Sequence, residues 1–242
     1  MKIKYKTAFT LAETLIALGV IGVVAVLTLP TLIQKQQEKI TVQKLKASYS
    51  IIQQAFTLAM AENGTPDMWD ITGNQSTADT HIQLANKFVP HLKIIKNCIG
   101  KDDQYTKQNC NAVGKTYRLN YYSSIVLSNG TSVTFRVLRP TCDNNYFINN
   151  LCGFIYIDTN GLKGPNKYGY DSFTFFLTKD KIVPLGIKGG SPTFKRNCDI
   201  TASNPNTDFG ATQACTAWVL YNENQDYLHC SGLDWDIKTK CK

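Results

Sequence analysis

The sequence predicts an α+β fold: one long N-terminal helix, apolar over its first half and amphipathic over its second, packed on a C-terminal antiparallel sheet. Three observations carry this. Residues 9–33 form an almost purely apolar run whose only charge is Glu13. Val42, Leu45, Tyr49, Ile52, Phe56 and Ala59 then recur at spacings of three and four, the signature of one helix face. From residue 116 onward, short β-branched and aromatic runs alternate with Gly, Asn and Pro turns, and connections this short favour antiparallel pairing.

At a rise of ~1.5 Å per residue, residues 9–33 are long enough to cross a bilayer. Lys2, Lys4 and Lys6 precede the run, and the next positive charge is Lys35. The positive-inside rule therefore leaves residues 1–8 in the cytoplasm and exports the chain beyond the apolar run. The far flank, Leu32-Ile33-Gln34-Lys35, has no Ala-x-Ala pattern, so the apolar segment is kept rather than removed as a secretory signal. Pro30 removes one backbone hydrogen bond, which predicts a kink or a locally melted turn. Gly19 and Gly22 weaken helix propensity and offer a small face for close packing. The amphipathic continuation occupies residues 34–64 and stops at Asn63-Gly64, where Thr65-Pro66 blocks further helix.

Residues 65–242 are expected to form one exported globular domain. Its first part, to about residue 116, reads as a polar connector with a short helix over 80–92. Strands come next at 116–121, at 125–127 and 133–137 around an Asn129-Gly130 turn, and at 154–157, 173–177 and 182–185. A short helix over 211–222 precedes a final extension, in which the aromatic residues read either as core or as a sugar or partner surface.

The formal charge of +8 includes the three leader lysines, and the remaining basic residues are scattered among acids without a Lys/Arg run. Nucleic-acid binding is therefore unsupported. The cysteine count of eight is even and contains no C-x-x-C pair, which favours disulfides over a zinc or redox site. Nearest neighbours would pair Cys98 with Cys110, Cys142 with Cys152, Cys198 with Cys215 and Cys230 with Cys241. Short loops cost least to close, but sequence leaves other connectivities open. Disulfides place the domain in an oxidising compartment, in agreement with export.

The segment Ala8-Phe9-Thr10-Leu11-Ala12-Glu13, set behind a short basic leader, resembles the prepilin motif of type IV pilins and type II secretion pseudopilins. The resemblance covers residues 1 to about 60. It implies a pilin-like lollipop, cleaved between Ala8 and Phe9 by a prepilin peptidase and N-methylated on Phe9. It also implies assembly with other pilin or pseudopilin subunits at an inner-membrane platform. The chain would begin as a single-pass protein in membrane lipid, in the bacterial inner membrane, and end in a periplasmic or surface filament. Ala8 departs from the family's usual Gly by one methyl.

An intramembrane carboxylate is costly unless partnered. The resemblance implies that Glu13 pairs with the Phe9 amine of a neighbouring subunit, and the competing reading is a carboxylate snorkelling to the interface. In pilins, a proline near the place of Pro30 lets the helix stretch. Residues 158–171 are similar to a strand-loop-strand of pseudopilins that in some members carries calcium, with Asp158, Asn160 and Asp171 as hard oxygen ligands. Calcium takes ~6–8 oxygens, and the same residue types stabilise turns without metal, so no cofactor is required.

Nothing in the sequence reads as catalytic. His81, His91 and His229 lack ligand spacing, and there is no H-E-x-x-H or G-x-S-x-G. Gly114-Lys115-Thr116 lacks the earlier glycine of a phosphate loop, having Asn109 there. The expected function is thus a structural filament subunit and not an enzyme. The alternatives are a permanently membrane-anchored exported binding domain and an anchored enzyme in which Asp171 and His229 converge.

Overall fold

The computed structural model describes residues 10–100, 110, 123–200 and 212–241. The expected strand at 116–121 lies outside them. The chain divides into two compact units, Met1–Ile40 and Thr41–Lys242. Helix α1, Leu11–Asn63, begins in the first and ends in the second.

Within the first unit α1 is unbroken through Pro30, so the expected melted turn does not form. Proline removes only one bond of the ladder, and the helix continues on both sides of it.

Among the described residues, the second unit holds a six-stranded antiparallel sheet in simple sequence order. Its strands are β1 (Ile94–Asn97), β2 (Ser123–Leu127), β3 (Ser132–Val137), β4 (Leu151–Asp158), β5 (Ser172–Thr178) and β6 (Ile182–Pro184). Period-two alternation sorts their side chains onto two faces. Ile125, Val133, Phe135, Ile155, Ile157, Phe173 and Phe175 share one buried cluster with Leu45, Ile52 and Phe56 of α1. The same cluster takes Leu84 and Phe88 of α2, Ala78–Phe88. Phe154, Tyr156, Phe176, Val183 and Leu185 form a separate cluster with Leu138, Phe147, Ile148 and Ile187. All eight residues of β4 are therefore buried. Gly153 lets β3 and β4 approach, because a Cβ there would lie 2.1 Å from the Arg136 carbonyl oxygen.

The Asn129-Gly130 turn joins β2 to β3, with Gly130 at φ +82°. It is tied to α1 through Ser48, whose hydroxyl donates to Thr131 Oγ1 and accepts from Asn129 Nδ2, both at 3.0 Å. The segment read as a connector holds β1 as well as α2, and α2 gives way to a 3-10 turn at Val89–His91 instead of running to 92. The expected helix over 211–222 is shorter, consisting of a 3-10 turn at Gln213–Cys215 and then α4, Thr216–Asn222. A four-residue helix α3, Phe194–Asn197, precedes them and stacks Phe194 on the buried Trp218 at 4.1 Å.

Candidate functional site

The first candidate is the apolar part of α1. This is the one helix among the described residues that is long and apolar enough to cross a membrane. Leu15, Ile21 and Leu27 are 61, 63 and 70% exposed, against 0% for Leu45 and Ile52 in the same helix. No residue of its most apolar stretch is buried.

Glu13 stands at the start of this helix, and its neighbourhood has a geometry beyond the one expected of it. Glu13 Oε2 accepts from the backbone N–H and the hydroxyl of Thr10, both at 2.8 Å. Thr10 Oγ1 in turn accepts from the Glu13 N–H at 3.2 Å. This is a reciprocal capping box, readable in sequence as Thr10-x-x-Glu13. It satisfies N–H groups at the helix end and holds the carboxylate there. Ala8 and Phe9 lie outside the described residues.

The second candidate is the β4–β5 loop, where Asp158, Asn160 and Asp171 do come together. Asp171 organises it: Oδ1 accepts from the Lys167 N–H at 2.7 Å, and Oδ2 accepts from the Asn166 N–H at 2.8 Å and from Asn160 Nδ2 at 3.1 Å. The Thr159 N–H and hydroxyl both donate to its carbonyl, at 2.9 and 3.1 Å. With Nδ2 turned toward the loop, the Asn166 amide donates to the Lys163 and Gly161 carbonyls at 2.7 and 3.3 Å. Two buried oxygens, Asp158 Oδ2 and Asn160 Oδ1, have no partner. Burial, and then the charge of Asp171, push the Asp158 carboxyl up to about 8.

These oxygens suit a hard cation in type, but calcium's ~6–8 ligands far exceed what they offer. Among the described residues there is no group of three or more His, Cys, Asp or Glu side chains that could hold a metal. Of the three residues named as hard oxygen ligands, Asp171 has carboxylate oxygens that already serve three N–H groups. The Asp171 carboxylate closes the loop on its own hydrogen bonds.

The loop is also clamped from the C-terminal side. Gln225 Nε2 donates to the Gly169 and Tyr170 carbonyls at 3.1 and 2.8 Å, and the Tyr227 hydroxyl donates to Gly169. That side is stapled by Cys198–Cys215 and Cys230–Cys241, and with Cys98–Cys110 and Cys142–Cys152 these make the nearest-neighbour arrangement.

His229 lines a cleft of about 600 Å³ with Phe194, Tyr227 and Leu233, and Asp171 is absent from it. His81, unremarkable in sequence, is fully buried, with Nδ1 accepting the Val137 N–H at 3.0 Å. Its Nε2 lies 3.2 Å from the Gln75 carbonyl oxygen. Burial lowers its pKa to about 4, so the ring is neutral and joins α2 to β3. The Gly114-Lys115-Thr116 segment lies outside the described residues.

No curated protein and no solved structure matches this chain. A family model does match, over residues 31–229, which is most of the sequence and all six strands. The chain belongs to the family of unknown function DUF6613.

Proposed function

We propose that this protein is a structural subunit of a type IV pilus-like or type II secretion filament, not an enzyme, held in the inner membrane by the apolar part of α1 until it assembles. The observation that carries this reading is the exposed apolar surface of residues 11–33 with one carboxylate, Glu13, at its start. Apolar surface on this scale must be covered by lipid or by other chains. A single carboxylate within it is costly in hydrocarbon and becomes an asset only where a positive partner is supplied. Cleavage between Ala8 and Phe9 creates such a partner, the new N-terminal amine, on every copy. Pairing the Glu13 carboxylate with a neighbour's amine rewards copies that are in register and couples leaving the bilayer to joining the filament.

The capping box supplies a rival explanation of Glu13, as a helix stop signal alone. Two variants separate them in a cell carrying the matching peptidase and platform. Thr10→Ala removes the cap and leaves the carboxylate; it should still assemble. Glu13→Ala should abolish filaments while the processed chain remains in the membrane. Filaments formed equally by both variants would leave Glu13 as a cap alone, and an unaltered chain that forms none would be a permanently tethered binding domain.

A further inference from the structure

β6 is the outer strand of the sheet, yet its edge is closed to another strand. The Ile182 carbonyl oxygen accepts from the Tyr49 hydroxyl and from Gln53 Nε2, at 3.0 and 3.1 Å, and Pro184 has no N–H to give. Beside this edge runs a cleft of about 710 Å³, contained wholly in the Thr41–Lys242 unit. That volume is in the range of small-molecule sites, ~300–1,000 Å³.

Its walls combine fixed aromatic faces with polar tips. Tyr49 is held from behind by stacking on Phe175 at 5.0 Å. Trp235 is held by Trp218 at 5.1 Å and supports Tyr221, whose ring lies edge-on to it at 6.3 Å. Tyr221 is nonetheless 66% exposed, a large aromatic ring kept at the surface and backed by a packed cluster. The Tyr221 phenol and the Gln53 amide oxygen bring a donor and acceptors to the same space, while the Tyr49 hydroxyl and Gln53 Nε2 are taken up by the Ile182 carbonyl. Among the described residues, the ionisable groups that line the cleft, apart from tyrosine, are Lys181 and Lys188, and no carboxylate lines it, though Lys188 reaches out to Asp236.

We infer that the cleft beside β6 is a binding site for an acidic saccharide. A pyranose ring has a C–H face that an aromatic ring covers and equatorial hydroxyls that phenol and amide groups engage. Lys181 selects a sugar carrying a carboxylate. A peptide adding as a strand is excluded by the blocked edge, and a purely apolar ligand would leave the Lys181 ammonium without an anionic partner in the cleft.

The test uses the full chain in lipid nanodiscs, free of sugar-headed detergent, titrated with a short oligogalacturonate and with a malto-oligosaccharide of equal length. Binding is read by calorimetry and by tryptophan emission, since Trp235 lines the cleft. The expected result is binding of the oligogalacturonate with a perturbed emission. Tyr221→Ala should weaken it about tenfold, the loss of one aromatic contact, and Lys181→Ala should erase the preference over the neutral chain. Both side chains are exposed, and unchanged circular dichroism would show that the variants fold. No binding of either sugar, equal binding of both by the unaltered protein, or binding indifferent to Tyr221→Ala would overturn the assignment.

Discussion

Two stretches of the same helix meet opposite environments. Over residues 11–33 nearly every apolar side chain of α1 is exposed, whereas Val42, Leu45, Ile52, Phe56 and Ala59 are buried against the sheet. The second stretch is amphipathic because it has two neighbours, a core and a solvent. The first is apolar all round and leaves its side chains exposed. Periodicity thus reports where a helix finds its partner: spacing of three and four points to the fold, and its absence points to lipid or to other subunits.

The strongest way to break this contrast is to truncate one side chain in each stretch. Phe56 packs against Trp69 and Phe88 at 6.1 and 6.2 Å, so Phe56→Ala should cost about 3–5 kcal/mol in denaturant unfolding of the globular unit. Ile21→Ala should leave that unfolding within about 0.5 kcal/mol. A comparable loss from both would mean that the exposed stretch contributes to the fold.

Next in size is the titration of His81. The unfolded chain binds its proton at the ordinary 6.5 and the folded chain only at about 4. Stability should therefore be full above pH 6.5 and fall by about 3 kcal/mol as the pH drops toward 4. His81→Gln, which cannot take up the proton, should flatten that slope in pH-dependent unfolding. A slope unchanged in the variant would assign it to other groups.

Asp158 has the opposite sign. Its folded pKa is about 8 against an ordinary 3.8, so the folded state holds the proton longer and stability falls as the pH rises from 3.8 through 8. At pH 9 Asp158→Asn should stabilise the domain by roughly 2 kcal/mol, with opening of the loop to water limiting the gain. Should millimolar calcium protect the unaltered protein and not the variant, the unpartnered oxygens of Asp158 and Asn160 form a cation site after all.

The smallest effect belongs to the cap. Thr10→Ala should cost about 1 kcal/mol locally, seen as faster amide exchange over the first turn of α1 and no change in the globular unit.

The features legible in sequence are those with a local physical signature. The apolar run, the stripe from Val42 to Ala59 and the hairpin at Asn129-Gly130 need only periodicity and turn chemistry to be seen. β1 escapes such a reading because Ile94–Asn97 is four residues long and mostly exposed at a sheet edge, with no alternation to mark it. The second core cluster is invisible in sequence because Phe154, Tyr156 and Phe176 read as the ordinary outer face of half-buried strands. Only the fold shows that the 138–148 segment and Ile187 cover them. At the candidate sites, Asp158, Asn160 and Asp171 can be grouped from their spacing, but the consumption of Asp171 by three N–H groups depends on the path of the loop. The Thr10–Glu13 box is readable and is overshadowed by the membrane reading of the same glutamate. His81 carries no signal, because nothing local marks a histidine as buried.

The central claim is that residues 9–33 are a processed assembly helix. Its most direct test is the intact mass and N-terminal peptide of the protein taken from a membrane that contains a prepilin peptidase. The account predicts a chain beginning at methylated Phe9. A chain that retains Met1 and the leader in that background would contradict it and leave α1 as a permanent anchor.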